Sequence, residues 1–497
     1  MKPPGREIDK TFLSRDIFEG YCFISKVPLR CGMIQMRHGQ PTLWAGYWRE
    51  QVSDLWEPWM READRLLDDE TLVELIYDAQ GTRRALSRKR GRKQTPAEVV
   101  LRLLMLKHVR NWSFDTLERE VRANLVYREF TRIGTEKVPD AKVMGKIARV
   151  IGPEVVKQLH QRLVALALER KLVRGRKMRV DTTVVETNIH YPTDSTLLGD
   201  GTRVLTRLSK RIAGVVGRAA RAVRDRMRSV GRKVVAIAIS SRQKGPKGEE
   251  RRKKLYGQLL TLTRKIVNQT KRVMEDARAA PRRAKAKVKP LIAEAQTMVG
   301  RVKQVIRQTK ARVFKGNTKA PDKLVSVFQP HTEIIRKGKA SKPTEFGKMV
   351  KIQEAEDQVI IDYEVYPERP SDSDLLVDAV ETHEEMTGRV PHTVAADAGF
   401  FSAANEKQLE EHGVKRVSIP NRNTKSAARR QKQKQRWFKE GQRWRTGCEG
   451  RISVLKRRHG LNRSLYPGQD GIERWVGLGV IADNLITLGG LMAARQA

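Results

Sequence analysis

The chain has 497 residues, of which 100 are Lys or Arg and 57 are Asp or Glu, giving a formal net charge of +43. This length predicts several domains, and this charge indicates a polyanionic partner, with DNA or RNA favoured over a membrane. Cys22, Cys31 and Cys448 are too few and too scattered for a disulfide framework or a closed zinc site. Without a signal-peptide core or an uninterrupted apolar run of about 18 residues, the sequence predicts a soluble, cytoplasmic protein.

Residues 1–60 show no clear hydrophobic period, and we treat them as an N-terminal extension without an assigned fold. Their tryptophans are interpreted as buried or interface side chains rather than as a platform for stacked bases. These residues are Trp44, Trp48, Trp56 and Trp59.

Residues 61–175 repeat apolar side chains at helical spacing and predict a helical domain that binds DNA or mediates dimerisation. Its clearest helix signal is TPAEVVLRLLMLKHVRNWS. There Thr95 and Glu98 have the spacing of a capping box, and Pro96 falls at the predicted first helical position.

Residues 176–200 and 321–497 alternate predicted strands with predicted helices, which indicates one α/β domain. KMRVDTTVV is its first predicted strand. After residue 321, strands are predicted in 323–335, 348–366, 392–400 and 415–420, and helices in 371–386 and 403–413.

Residues 201–320 form a basic insertion between the first and second predicted strands. They contain 35 Lys or Arg and 6 Asp or Glu, which is +29 of the chain's net charge. Apolar residues recur on one helical face, and GPKG (245–248) and AAPRR (279–283) mark breaks, so two or three long amphipathic helices are expected. The cations could simply form solvent-exposed helix faces, but this charge density favours sequence-independent contact with DNA.

Three acids lie where a metal site requires them. Asp181 begins DTTVV, and Asp397 ends the predicted strand TVAAD. Glu449 lies in RWRTGCEGRISVLKRRHGL, where ISVLKRR is predicted to be helical. Each has a plain alternative role, as a surface strand end, a turn aspartate and a helix-starting acid respectively. Together, on a basic α/β protein, they indicate a site for two Mg²⁺ or Mn²⁺ ions acting in phosphodiester chemistry.

These residues carry a family resemblance. The sequence resembles the DDE transposases of bacterial insertion sequences at Asp181, at Asp397 and at Glu449. Many of these enzymes carry Tyr, Arg, Glu and Lys at fixed spacing around the third acid. Arg445, Glu449 and Lys456 match the last three, whereas Gln442 stands at the tyrosine position. The resemblance covers roughly 65–490, apart from the basic insertion.

The resemblance implies a ribonuclease-H-like catalytic domain that cuts transposon ends and joins the 3′-hydroxyl to target DNA. The implied partners are double-stranded DNA and further copies of the chain, in a nucleoid-associated assembly without a membrane. The residues expected to contact DNA are Arg443, Arg445, Arg451, Lys456, Arg457 and Arg458. The alternatives are a nuclease of the same fold that does not rejoin DNA, and a non-catalytic DNA-binding protein, either a repressor or a decayed transposase.

Overall fold

The computed structural model describes residues 34–37, 50–83, 93–217, 223–278, 281–319, 321–336 and 343–496. Most of the N-terminal extension lies outside these residues, including Trp44, Trp48, Cys22 and Cys31. Trp56 packs edge-on against Phe130 with ring centroids 5.9 Å apart, and Trp59 borders the same hydrophobic core. Both described tryptophans of the extension therefore pack within the protein, as interpreted from the sequence.

The segment before the first strand is helical, as its apolar spacing predicts. Its helices are α1 (Pro58–Leu67), α2 (Glu70–Gly81), α3 (Ala97–Val109), α4 (Phe114–Ala123), α5 (Leu125–Phe130), α6 (Ala141–Val150) and α7 (Pro153–Glu169). The predicted capping box on α3 is wrong. Pro96 is itself the residue before the helix, so Thr95 lies one position too early and no side chain caps α3. Glu98 instead lies 3.7 Å from the buried Arg102 guanidinium.

The sheet contains seven strands within the described residues. They are β1 (Lys177–Thr187), β2 (Glu333–Arg336), β3 (Thr344–Glu354), β4 (Ile360–Val365), β5 (Thr393–Ala395), β6 (Arg416–Ser418) and β7 (Arg463–Ser464). The central strand β1 pairs antiparallel with β3 and parallel with β5. β4 lies antiparallel beside β3, and β6 lies parallel beside β5, giving the order β4-β3-β1-β5-β6. Short β2 and β7 add to β3 and β1.

Helices cover both faces of this sheet. The helices after β4 are α12 (Leu376–Thr387), α13 (Ala403–Glu411), α14 (Ala427–Lys434), α15 (Arg436–Arg458) and α16 (Gln469–Gln496). Val180 and Val184 of β1 share a core with α12 and α13, whereas Val185 shares one with α15 and α16. Because side chains alternate along a strand, Asp181 projects on the same face as Val185, toward α15.

The last helix joins the sheet to the N-terminal helices. α16 packs against α1, α3 and α7, and its residues belong to the same buried cluster. Buried Asn484 accepts a hydrogen bond from the Ile360 N–H at 3.0 Å and donates one to the Ile360 carbonyl at 2.7 Å. Among the described helices, α16 alone is long and apolar enough to span a bilayer, but 67% of its apolar window is buried inside the protein. This packing makes it a core helix of the fold.

The basic insertion is a bundle with its own hydrophobic core. Its described helices are α8 (Asp194–Val216), α9 (Met227–Ser240), α10 (Pro246–Arg278) and α11 (Arg282–Lys315). The sequence predicted two or three helices; the predicted breaks flank α10, and the end of α8 at Val216 was missed. Asp194 begins α8, and Arg312 donates a hydrogen bond to its carboxylate at 2.5 Å.

The strand predicted over 323–335 is mostly wrong, since only Glu333–Arg336 is a strand. The apolar residues Leu324 and Val327 pack into the bundle core rather than into the sheet. The backbone N–H and carbonyl of Leu324 bond to the Gln308 side chain, each at 3.0 Å, instead of to a neighbouring strand.

Candidate active site

The pairing of two parallel strands places the first two acids at the same edge of the sheet. Arg179 of β1 pairs with Ala395, the last residue of β5. Asp181 lies two residues beyond this pair on β1, and Asp397 lies two residues beyond it in the turn that follows β5. Each carboxylate is oriented by a backbone N–H: Thr182 N–H donates to Asp181 Oδ1 at 2.7 Å, and Gly399 N–H donates to Asp397 Oδ1 at 2.8 Å.

The third acid is linked to the first by one arginine. Glu449 lies on α15, one turn after Arg445, whose Nη2 donates to Glu449 Oε1 at 2.9 Å. The other terminal nitrogen, Nη1, lies 3.8 Å from Asp181 Oδ2. The Arg445 side chain is 15% exposed, so its guanidinium is held between the two carboxylates rather than in open solvent.

Gln442 fixes the helix that carries Glu449 onto the sheet. Its side-chain N–H groups face the carbonyl oxygens of Ala396 and Ser418, at 3.2 and 2.5 Å. These carbonyls lie at the ends of β5 and β6, immediately beside Asp397. Gly441 permits the approach, because a Cβ at that position would lie 2.6 Å from Ser418 Oγ. Gln442, at the predicted tyrosine position of the signature, therefore acts through hydrogen bonds rather than through an aromatic ring.

Arg179 makes a second connection between β1 and α15. It donates to the Trp444 carbonyl at 2.6 Å and to buried Glu354 at 2.5 Å, and its guanidinium lies 4.9 Å from the centre of the Trp444 ring. Burial raises the pKa of Glu354, and Arg179 opposes that shift. Burial and the nearby Glu354 also raise the pKa of the Cys448 thiol well above its ordinary value, so Cys448 is a neutral packing residue.

Asp372 is an acid that the sequence reading missed. It begins a short 3₁₀ helix (Asp372–Leu375), and its Oδ1 accepts a hydrogen bond from Thr182 Oγ1 at 2.9 Å. A Cβ on Gly399 would lie 3.2 Å from Asp372 Oδ2 and 3.1 Å from Asp397 Oδ1, so the two carboxylates flank this glycine. The only local signal was the SDSD start of a predicted helix, which reads equally well as a helix cap.

Two models of known protein families match the sequence of the chain. A model described as "Transposase DDE domain" matches residues 324–485, and one described as "Transposase domain (DUF772)" matches residues 57–149. The chain is an insertion-sequence DDE transposase. No curated protein and no solved structure matches it significantly.

The match to the DDE domain covers two of the transposase's three candidate acids. Asp397 and Glu449 lie within residues 324–485, whereas Asp181 lies before them. The basic bundle separates β1 from the rest of the sheet in sequence, and the pairing of β1 with β3 and β5 restores the connection in space. The bundle itself lies between the two matched regions.

The basic residues of α15 that were predicted to contact DNA differ in their exposure to solvent. Arg443, Arg457 and Arg458 are exposed, and Lys456 is partly exposed. Arg451 is buried: its Nη1 lies 2.9 Å from Asp483 Oδ2 on α16, and its Nη2 donates to Gln358. Because its guanidinium is buried in this internal ion pair, Arg451 does not belong to the exposed basic surface of α15, contrary to the prediction that it contacts DNA.

The transposase's acids suit Mg²⁺ or Mn²⁺ by donor type. All are carboxylates, the hard oxygen ligands that these ions prefer, without the His or Cys ligands typical of zinc. Within the described part of the chain, no group of three or more His, Cys, Asp or Glu side chains stands close enough to hold a metal. The Arg445 guanidinium lies between two of these acids, Asp181 and Glu449.

Proposed function

We propose that this transposase cleaves DNA at the ends of its own element and joins the freed 3′-hydroxyl to target DNA. The observation that carries the proposal is that Arg445 ties Glu449 to Asp181, while the parallel pairing of β1 with β5 puts Asp397 at the same edge of the sheet as Asp181. If the short strands β2 and β7 are left out of the count, β5 is the fourth strand of the sheet. The three acids then lie on the first strand, after the fourth strand and on a late helix. This arrangement supports the ribonuclease-H-like assignment.

The proposed reaction has two steps of the same kind. In cleavage, a water oxygen attacks the phosphorus at the element's end, the P–O3′ bond breaks, and the 3′-oxygen leaves as a hydroxyl after taking a proton. In strand transfer, that 3′-hydroxyl loses its proton and attacks a target phosphorus, and one P–O3′ bond of the target is exchanged for the new one. Neither step needs an oxidant or a nucleotide cofactor.

DDE transposases generally use divalent metal ions. We propose that Asp181, Asp397 and Glu449 hold two Mg²⁺ ions, which would activate the attacking oxygen and stabilise the leaving oxygen. Without metal, Arg445 neutralises the repulsion between Asp181 and Glu449. With the carboxylates holding metal, the Arg445 fork would be free to bind a phosphate through two of its N–H groups.

Substitution of each acid tests the proposal. Asp181→Asn, Asp397→Asn and Glu449→Gln keep the size of the side chain but remove the charge. The substrate is DNA carrying the segments that flank the gene, with Mg²⁺, Mn²⁺ or EDTA. We expect loss of cleavage by at least about a hundredfold, with unchanged binding to duplex DNA, because the acids bind metal rather than phosphate. Near-normal cleavage by a variant would remove that residue from the site. Metal-independent cleavage by the wild type would overturn the mechanism.

Strand transfer on pre-cleaved ends separates the roles of Arg445 and Lys456. Arg445→Ala and Lys456→Ala should slow joining, whereas Lys456→Arg should be tolerated because one charge replaces another. Arg445→Lys should remain impaired, because the single ammonium group of lysine cannot grip phosphate with the two-pronged fork of a guanidinium. Thr446→Ala, an exposed change on the same helix, is the control. Wild-type joining rates in both alanine variants would contradict the assignment, and cleavage without joining in the wild type would favour a nuclease.

The remaining features of the proposal concern the assembly. We expect a homo-oligomer on DNA, since two element ends must be brought together, and association with the nucleoid. Arg443, Arg457 and Arg458 extend the basic surface beside the site and are expected to contact the DNA backbone. Cross-linking of the chain on paired element ends would measure the number of copies in the complex.

A further inference from the structure

The basic bundle α8–α11 sorts its side chains so that the cations face outward. Leu205, Leu208 and Ile212 of α8 are fully buried in the bundle core. Ser209 Oγ donates to Thr270 Oγ1 at 3.0 Å, so a buried polar pair between α8 and α10 is also satisfied. The bundle is therefore a packed element, and its charge is displayed on a defined surface rather than on an unfolded tail.

One outward stripe of α8 carries four cations. Arg203, Arg207 and the adjacent pair Lys210 and Arg211 follow one another at intervals of about one helical turn, opposite the buried stripe, and all four are exposed. Together with Thr206, Asp225 and Met227 they line a groove of about 400 Å³.

Only two of these four cations are paired with acids inside the described structure. Arg203 donates to Asp200 at 2.8 Å, and Lys210 donates to Asp225 at 2.6 Å. Arg207 and Arg211 have no carboxylate partner among the described residues. The groove thus keeps a net positive charge.

A second groove continues along the same helix. It measures about 480 Å³ and is lined by Gly214 and Val215 of α8 and by Pro281, Arg283, Ala284 and Lys287 at the start of α11. Its lining contains two more cations and no acid. From Arg203 to Val215 the helix rises about 18 Å, which is roughly half a turn of B-DNA.

We propose that this basic track, formed by the two grooves along α8, binds the phosphate backbone of double-stranded DNA without reading its sequence. The inference rests on the proposed function, because it assigns a further DNA surface to the transposase. The lining residues include no aromatic ring to stack on a base and no Asn or Gln to pair with an adenine edge. A row of cations without such groups suits phosphates, which carry charge at every step of the duplex.

The position of the bundle in the chain gives the track a role. α8 begins shortly after β1, the strand that carries Asp181, and Arg312 ties the start of α8 to α11 through Asp194. DNA held along α8 would therefore lie on the helix that follows the catalytic strand in the chain, with only residues 188–193 between them. The track supplies DNA contacts that lie outside both regions matched by the family models.

The test uses the full chain and two unrelated duplexes of about 30 base pairs. Arg207→Gln/Arg211→Gln neutralises the unpaired cations of the track. The control, Arg264→Gln/Arg272→Gln, removes the same charge from exposed positions of α10 outside both grooves. Binding is measured against salt concentration without divalent metal, and thermal unfolding checks that both variants are folded.

We expect the track variant to bind both duplexes more weakly, by roughly tenfold to a hundredfold at 0.1 M salt. The slope of log K against log salt should become less negative by about 1.8, for two lost phosphate contacts. The control should change little. An unchanged slope, or an equal loss in the control, would overturn the proposal. A loss confined to one of the two duplexes would overturn it as well. Because no cleavage is measured, failure of the catalytic proposal would leave this result intact, and the acid variants should bind normally in this assay.

Discussion

Gln442 donates a hydrogen bond to the Ser418 carbonyl at 2.5 Å, which ties the helix of the third acid to the strand end beside the second. The same amide faces the Ala396 carbonyl at 3.2 Å, one residue before Asp397. Gln442 thus ties the helix that carries Glu449 to the strand ends beside Asp397.

We expect Gln442→Ala to lower the cleavage rate by about tenfold to a hundredfold, because a small displacement of a catalytic group has a large effect on rate. Gln442→Glu should be worse, since it sets a carboxylate against two carbonyl oxygens. Cleavage at saturating DNA is the measurement, with duplex affinity expected to stay constant. Thr446→Ala on the same helix is the control, and a Gln442→Ala rate equal to that control would show that the contact does not position Glu449.

Asp372 is expected to position β1 through Thr182 rather than to react. Asp372→Ala should reduce cleavage by about tenfold or more and raise the Mg²⁺ concentration needed for half-maximal rate. Asp372→Asn should restore part of the activity, because its amide oxygen can still accept the Thr182 hydroxyl. The matched control is Asp374→Ala, two residues later and exposed. Equal losses in the Asn and Ala variants would mean that the charge, not the hydrogen bond, is required.

The buried pair of Arg451 and Asp483 should act on stability. Arg451→Met alone should lower the free energy of unfolding by about 3–5 kcal/mol, because it leaves Asp483 buried without its cation. Arg451→Met/Asp483→Leu should recover most of that loss. Urea unfolding measures both, with the exposed change Arg457→Met as a control expected to cost less than about 0.5 kcal/mol. A stable Arg451→Met protein with weakened DNA binding would return Arg451 to the DNA-contacting surface.

His160 predicts a pH-dependent term in stability. Burial lowers its pKa to about 4, while its ring Nε2–H bonds to the Ile360 carbonyl at 3.0 Å, joining α7 to β4. The unfolded chain takes up this proton near pH 6.5 and the folded chain near pH 4, so stability falls as pH drops through that window. His160→Gln should remove up to about 3 kcal/mol of that pH dependence. Unfolding free energies of both proteins at pH 7 and pH 4.5 provide the comparison, and parallel pH curves would contradict the prediction.

The sequence alone established the local patterns that depend on neighbours in the chain. The helical spacing before β1, the strand around Asp181, the charge of the insertion and the interval from Arg445 to Lys456 could all be read from it. The same patterns placed two of the three acids near strands and the third on a helix. These features are local because periodicity and charge are properties of consecutive residues.

Tertiary structure decided which of these residues face one another. Arg445 and Arg451 lie on the same helix, and nothing in the local sequence distinguishes their roles. In the folded chain, Arg445 lies beside Asp181 whereas Arg451 pairs with Asp483. The same holds for Leu324 and Val327, which read as a strand but fill the bundle core. Asp372 reaches Thr182 across 190 positions of chain. A helical or strand period in the sequence indicates that one face of the element is buried. Which other element covers that face is decided by packing between segments that are distant in the chain.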